Sequence, residues 1–293
     1  MAAHAEEFDQ WAMTFTFCEC AENGPGMEKL GRESVPGGGL NADDILAAKE
    51  HLERAGIVCE LIDLVAAGKV EALAPEPAFL LVMRGALPYF LGAGGEAAAG
   101  AAAAEAAAAG AAAGAASLEQ AVMSFVEEQR PLEDLVDKKA IFRGMVKNKN
   151  ARWNLCMADR SQEPCYEEGR GRIIDFAQLP NLSAVRSAIP QFFNPEKTTN
   201  LLAEANYYFN TSRTGIGFHG DTERRIVIAL RIGLWIPLHY QWYQRHKPCG
   251  ERIVIELHAG DMYAMSEKAV GKDWKRSVIP TLRHAAGGAV YLS

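Results

Sequence analysis

Residues 204–233, EANYYFNTSRTGIGFHGDTERRIVIALRIG, determine the fold expected for the second half of the chain. They contain two short strand-like runs, EANYYFN and RIVIALRIG, and the turn signal SRTG lies between them. Similar runs occur on both sides: AIFRGMV, RIIDF, WIPLHYQWY, ERIVIELH and DMYAM. Together with two short helices expected near 182–193 and 196–204, these strands predict an α+β fold whose C-terminal part is a sandwich or a jelly-roll barrel.

The residues before this region predict a separate small α/β unit, residues 1–91. WAMTFTFC (11–18) is typical of a strand, and NADDILAAKEHLERAG (41–56) of a helix with Asn41 as N-cap. IVCELIDL (57–64) and AFLLVMRG (78–85) are typical of buried strands. This unit collects no catalytic residues, which favours a packing or docking role.

An Ala/Gly-rich stretch separates the two parts. We interpret residues 92–116 as a linker, because alanine and glycine side chains supply nothing that packs a core. Residues 117–293 then form the second domain. It begins with a helix over 117–129, opened by a capping box of Ser117 and Gln120.

Composition excludes several classes of protein. The chain has 293 residues, 49% of them hydrophobic, and a formal net charge of −7, which argues against a protein that coats nucleic acid by bulk charge but leaves room for a local basic groove. No apolar run approaches the roughly 20 residues of a membrane span, so no membrane partner is expected. The first residues lack the pattern of a signal peptide, which predicts a cytoplasmic or nuclear protein. The six cysteines contain no CxxC pair and are expected to be reduced thiols.

His219 and Asp221 are the first candidates for a metal site. Side chains two residues apart on an extended segment point the same way, so an imidazole and a carboxylate converge on one point. With one more histidine they make the facial triad of non-haem iron(II) oxygenases. The pair is common by chance, so its context matters. Candidates for the third ligand are His239, His246, His258 and His284. We favour His284, which follows an apolar stretch and has small neighbours, and place His239 second.

Arg231 stands in the middle of the apolar run RIVIALRIG. A buried guanidinium is unfavourable unless it meets an anion. If Val227 and Ala229 face the interior, the period of two makes Arg231 face it as well, beside the metal. There it suits a dicarboxylate co-substrate. The alternative is an outward arginine on a half-exposed strand.

From about residue 150 to 287 the sequence resembles the AlkB-like 2-oxoglutarate/iron(II) dioxygenases, whose core is a double-stranded β-helix, or jelly roll. The resemblance lies in N-x-Y, a glycine turn and H-x-D-x-E. It implies that His219, Asp221 and His284 bind Fe(II), and that Asn206 and Tyr208 bind 2-oxoglutarate. The remaining implied roles concern the substrate. Glu223 is expected near the target base, and the segment 151–171 is expected to form a recognition lid in which Trp153 and Tyr166 stack on a flipped base. Arg224 is one of several basic residues expected near the site.

One departure from the family concerns the far carboxylate of 2-oxoglutarate. The family normally has an R-x5-R strand after the distal histidine, but only AAGGAVYLS follows His284. An alternative pair, Arg276 and Arg283, would need an earlier distal histidine, and the segment before it contains none. We therefore expect Arg231 to supply the anchor.

The function that the resemblance implies is oxidation of a substrate by O2 with Fe(II) and 2-oxoglutarate. A nucleobase in single-stranded or flipped DNA or RNA is the favoured substrate, and its oxidation is a hydroxylation or a demethylation. A second hypothesis is an oxygenase of a protein side chain or small metabolite on the same scaffold. A third is a non-catalytic barrel that binds a partner through the N-terminal unit.

Overall fold

A computed structural model describes residues 10–24, 26–73, 75–93 and 117–292. The predicted linker therefore lies almost entirely outside the described residues. The helices are α1 Ala42–Arg54, α2 Leu64–Ala67, α3 Leu87–Ala93, α4 over 117–129, α5 Pro180–Phe192, α6 Pro195–Thr198 and α7 Glu267–Val270. None of the described helices is long and apolar enough to cross a bilayer.

Two mainly antiparallel β-sheets form the centre of the fold. The major sheet has eight strands in the order β4-β5-β15-β12-β1-β10-β8-β9, and the minor sheet has four in the order β11-β16-β13-β14. All neighbours are antiparallel except the parallel pair β8–β9. The major strands are β1 Ala12–Cys18, β4 Val58–Asp63, β5 Phe79–Arg84, β8 Trp153–Ala158, β9 Ile173–Asp175, β10 Leu202–Tyr208, β12 Val227–Gly233 and β15 Met262–Met265. The minor strands are β11 Gly215–His219, β13 Leu238–Gln244, β14 Lys247–Ile255 and β16 Thr281–Gly287.

Side-chain alternation along the major strands produces three layers. On β1, Phe15 and Phe17 point toward the helices and pack in a core with residues of α1, α3, α4 and α5. The opposite face of the major sheet packs on the minor sheet, where Val227 and Ala229 meet Tyr240 and Trp242. The fold is thus α+β, with helices on one face of a large sheet and a second sheet on the other. Between the two sheets, polar residues on neighbouring strands leave a cavity.

The prediction of a separate N-terminal unit over 1–91 was wrong. β1 lies between β10 and β12, and β4 and β5 extend the same sheet beyond β15. The local pattern of β1 correctly predicted a strand but not its partners, because pairing between distant strands leaves no local signal. The Asn41 cap of α1 is confirmed as a capping box with Asp44.

Two further local predictions were also wrong. AIFRGMV is not one strand but a hairpin, β6 Lys139–Phe142 and β7 Met145–Asn148, because Arg143 and Gly144 adopt positive φ and reverse the chain. The helix expected near 196–204 is only the single turn α6, since β10 already begins at Leu202. A second ribbon, β2 Cys20–Glu22 with β3 Lys29–Gly31, lies near β10.

Candidate metal centre

His219, Asp221 and His284 meet at one edge of the minor sheet. His219 ends β11 and is the direct register partner of His284 on β16. The Nε2 atoms of His219 and His284 lie 3.5 and 3.6 Å from Asp221 Oδ1. One potential ligand atom from each residue lies within 4.8 Å of the others, so the three can reach a single ion.

The His219 ring is oriented by its other nitrogen. Nδ1 lies 2.8 Å from the Gly217 carbonyl and 3.0 Å from the His284 carbonyl, so it carries the proton and donates to backbone. The Nε2 lone pair is therefore left free on the side of Asp221. A ligand histidine with its second nitrogen bonded in this way is typical of metal sites.

Gly220, between His219 and Asp221 of the H-x-D pair, lies against the backbone of Gly271. A Cβ at Gly220 would stand 1.9 Å from the Gly271 carbonyl oxygen, and Gly271 itself has φ +75° in the turn after α7. The Asp221 amide donates to the Val270 carbonyl at 3.1 Å. This close packing fixes the direction in which Asp221 leaves the end of β11.

Arg224 gives Asp221 a buried positive neighbour. Its Nε lies 3.4 Å from Asp221 Oδ2, and its Nη2 donates to Glu204 and Glu223. Burial by itself raises the pKa of Asp221, but the Arg224 guanidinium and the two imidazoles outweigh it and hold that pKa well below its usual range. Burial and the neighbouring His219 lower the pKa of His284. Both groups are therefore unprotonated at neutral pH, as metal ligands must be.

The site opens into a cavity of about 580 Å³ between the sheets. Asn206, Thr14 and Arg231 lie side by side across β10, β1 and β12 and line its floor. Arg231 is 1% exposed, and its Nε and Nη1 have no hydrogen-bond partner, nor has Thr14 Oγ1. A buried guanidinium with free donors, in a cavity beside the His-Asp-His triad, matches the donor set that a carboxylate ligand needs.

No family model matches the chain. It is 40% identical over 278 residues to an uncharacterized protein of Acanthamoeba polyphaga mimivirus, a match that covers 94% of this chain and 95% of the viral protein. The chain belongs to the family of that viral protein. Because 278 residues match, the shared region must include residues before 117 as well as the second half, in agreement with one sheet built from both parts.

The structure distinguishes between the two histidines that were favoured as the third member of the cluster. His284 joins the cluster, whereas His239 lies on the outer side of the minor sheet beside Val254, with both ring nitrogens unpartnered. The inward position on β13 belongs to its neighbour Tyr240, which packs near the His284 ring. Asn206 and Tyr208 line the cavity as expected, and Asn206 Oδ1 accepts from Asn154 and Arg152.

The predicted base-stacking residues Trp153 and Tyr166 lie outside the cavity. Trp153 faces the opposite side of β8 from the inward Asn154, and its ring stacks on Phe209 with centroids 4.1 Å apart. The Tyr166 hydroxyl donates to Asp137 at 2.7 Å. Neither residue is therefore placed at the cavity as expected. For Trp153 the reason is that a single sequence does not show which face of a strand turns inward, whereas Tyr166 lies in the short helical turn Tyr166–Glu168.

Glu223 and Arg224 line the cavity but are bonded to each other. With Glu204 and Asp221 also around it, the Arg224 guanidinium holds protein carboxylates and is not free for a substrate, contrary to its predicted role. Lys275, one of the basic residues expected near the site, does line the cavity, but several other lining residues were missed by sequence reasoning: Thr14, Thr16, Glu22, Arg152, Glu204, Tyr263 and Trp274. A signal existed for the first two, since threonines alternate with Phe15 and Phe17 in WAMTFTFC.

Proposed function

We propose that the protein is an Fe(II)- and 2-oxoglutarate-dependent dioxygenase of the AlkB-like type, with the two facing sheets as a jelly-roll core. The observation that carries the proposal is one cavity containing both a His-Asp-His cluster and an unpartnered buried arginine. A structural metal site does not require an unpaired guanidinium, and a simple anion-binding site does not require a His-Asp-His cluster. The combination of the two favours a metal site that also binds an anionic ligand.

His219, Asp221 and His284 would hold Fe(II) from one side. Two imidazoles and one carboxylate are the ligand set of non-haem iron oxygenases, and they leave positions open for a chelating co-substrate and O2. When bound, iron and 2-oxoglutarate supply the oxidation of a substrate C–H bond by O2, with release of succinate and CO2. The pairing of Arg224 with Asp221 keeps that carboxylate ionised and fixed in direction.

Arg231 and Thr14 would receive the far carboxylate of 2-oxoglutarate. Their unpartnered donors lie in register on adjacent strands, and a guanidinium forms two parallel hydrogen bonds with a carboxylate. Asn206 and Tyr208, on the next strand, complete the co-substrate side of the cavity.

A nucleobase is the substrate that we propose. The cavity is of the size that small-molecule sites have, and its lining includes Trp274 for stacking and Glu223 for hydrogen bonding to a base edge. Trp274 thus takes the stacking role first expected of Trp153 and Tyr166. An oxygenase of a protein side chain or metabolite, and a non-catalytic binding protein, remain as outcomes of the test.

The test has three measurements. Anaerobic Fe(II) and 2-oxoglutarate should give a weak visible charge-transfer band that is lost in His219→Ala but kept in His239→Ala, a buried histidine of the same sheet that faces away. Aerobic incubation should form succinate. If the wild type shows neither the band nor succinate, the oxygenase proposal is overturned. If it binds the metal but shows neither of them, a non-catalytic binding protein is supported instead. Formaldehyde release from methylated oligonucleotides supports the nucleobase, whereas succinate without any oligonucleotide product points to another substrate.

A further inference from the structure

Aromatic rings and cations alternate across the outer face of the minor sheet. The Arg252 guanidinium lies 5.0 Å from the Phe218 ring, and the Phe218 and Tyr243 ring centroids are 6.3 Å apart. Arg283 lies between two rings, 3.9 Å from that of Tyr243 and 5.1 Å from that of Trp274. These five residues form a continuous row, which we call the outer row.

The exposed cations around the outer row lack acidic partners. Within the part of the chain that the structure describes, no carboxylate pairs with Arg245, Lys247, Arg252, Lys275 or Arg276. The two acids nearest along the chain are already neutralised, Glu251 by Lys69 at 2.7 Å and Asp273 by Lys268 at 2.6 Å. On a chain with a net charge of −7, this local excess of unpaired positive charge favours an anionic partner.

The outer row leads to the proposed reaction site. Trp274, at one end of the outer row, lines the cavity together with its neighbour Lys275, whose ammonium lies 5.4 Å from the Trp274 ring. Near the other end, Phe218 is next to the terminal Arg252 and directly precedes His219 in β11. A ligand that followed the outer row would therefore pass over the edge of the minor sheet into the mouth of the cavity.

We propose that the outer row binds single-stranded nucleic acid and guides one base into the cavity. Half-buried rings and guanidinium planes offer stacking surfaces, and the exposed cations offer contacts to phosphate. The bases of a duplex are stacked inside the helix and cannot stack on the aromatic rings. The outer row should therefore bind a single strand more tightly than a duplex. The delivery of a base rests on the proposed function, whereas the binding itself does not.

The test measures binding without iron or 2-oxoglutarate, by fluorescence anisotropy of a labelled oligothymidylate, about 20 nucleotides long, and of a duplex of equal length. The wild type should bind the single strand more tightly than the duplex, and the affinity should fall as salt rises. Arg252→Glu should weaken binding at least about fivefold, and the slope of log affinity against log salt should become shallower by about 0.7 for each phosphate that is no longer bound. Tyr243→Leu should weaken binding at least about fivefold with little change in salt dependence, and Tyr243→Phe should retain it.

Arg54→Glu is the matched control, because it makes the same charge change at an exposed arginine of α1, in the helical layer on the far side of the major sheet. It should bind like the wild type. No binding at low salt, equal affinity for the duplex, or equal losses in Arg54→Glu and Arg252→Glu each overturn the proposal. These outcomes leave the metal centre untouched, since the charge-transfer band tests that centre without any oligonucleotide.

Discussion

Thr14 and Arg231 are direct cross-strand partners in β1 and β12, and both turn unpartnered polar atoms into the cavity. The pair joins the beginning of the chain to the proposed co-substrate site. A buried guanidinium without a partner destabilises a folded protein, and a carboxylate of the proposed co-substrate would neutralise it. This relationship leads to the first prediction.

Arg231→Met should weaken 2-oxoglutarate binding at least about 30-fold, because truncation of one partner of a buried charged pair costs roughly 2–5 kcal/mol. The same substitution should raise the melting temperature of the ligand-free protein, since it removes an unpaired buried charge. Calorimetric titration with Mn²⁺ present and thermal unfolding measure the two effects. Thr14→Val, which removes only a hydroxyl, should give a smaller loss of affinity. Unchanged affinity in Arg231→Met would assign the anchor to another residue.

Gly220→Ala should abolish metal binding, because its Cβ would meet the Gly271 carbonyl at 1.9 Å and displace Asp221. Gly217→Ala is the matched control in β11, three residues before Gly220, since its Cβ has 3.4 Å to the nearest atom. The change at Gly217 should leave Co²⁺ binding, followed by its visible spectrum, near that of the wild type. Equal Co²⁺ affinity in the two variants would contradict the packing argument.

Arg224→Met should destabilise the protein by roughly 3–5 kcal/mol, because it leaves Asp221, Glu204 and Glu223 as neighbouring buried carboxylates without their cation. Urea unfolding gives the change directly. Arg213→Met, at an exposed arginine nearby in the chain, should change stability by less than about 0.5 kcal/mol. A similar small change in both variants would show that the buried network contributes little.

Glu22→Gln should stabilise the protein at pH 8 but not at pH 5. Burial and the nearby Glu223 raise the pKa of Glu22 to about 7 in the folded state. Between its unfolded pKa of about 4.3 and pH 7, the folded state binds more protons than the unfolded state, so the wild type loses stability as pH rises through this window. The neutral amide avoids that loss. Unfolding free energies of both proteins from pH 5 to pH 8 should therefore diverge with increasing pH, and parallel curves would contradict the shift.

Local patterns predicted the single elements of this fold well. The N-cap Asn41 and the alternation in WAMTFTFC depend on neighbours within a few residues, so α1 and β1 were correctly placed. The order of the strands was not predictable, because the pairing of β1 with β10 and β12 joins residues far apart in sequence. For this reason a sheet shared by both halves was mistaken for two units.

The same distinction holds for the site. His219 and Asp221 were found through the period of two along one segment, and Arg231 through a charge within an apolar run. Trp153 was misplaced because the inward face of β8 is decided by tertiary packing: Leu155 and Met157, on the same face as Trp153, belong to the core on the helical side of the sheet. Trp274 was missed because it lies in a loop, where no periodicity indicates which side chains turn toward a cavity.

The central position of β1 has a consequence for synthesis of the protein. During translation β1 emerges well before its two partners, β10 and β12, which lie more than 180 residues later in the chain. Until then, the backbone groups of the apolar segment WAMTFTFC have no neighbouring strands to hydrogen-bond with. An unpaired apolar strand of this kind is prone to associate with other chains. We expect slow folding and dependence on chaperones in the nascent chain, because β1 can pair with its neighbours, and the His-Asp-His cluster can form, only after β10, β11, β12 and β16 have been made.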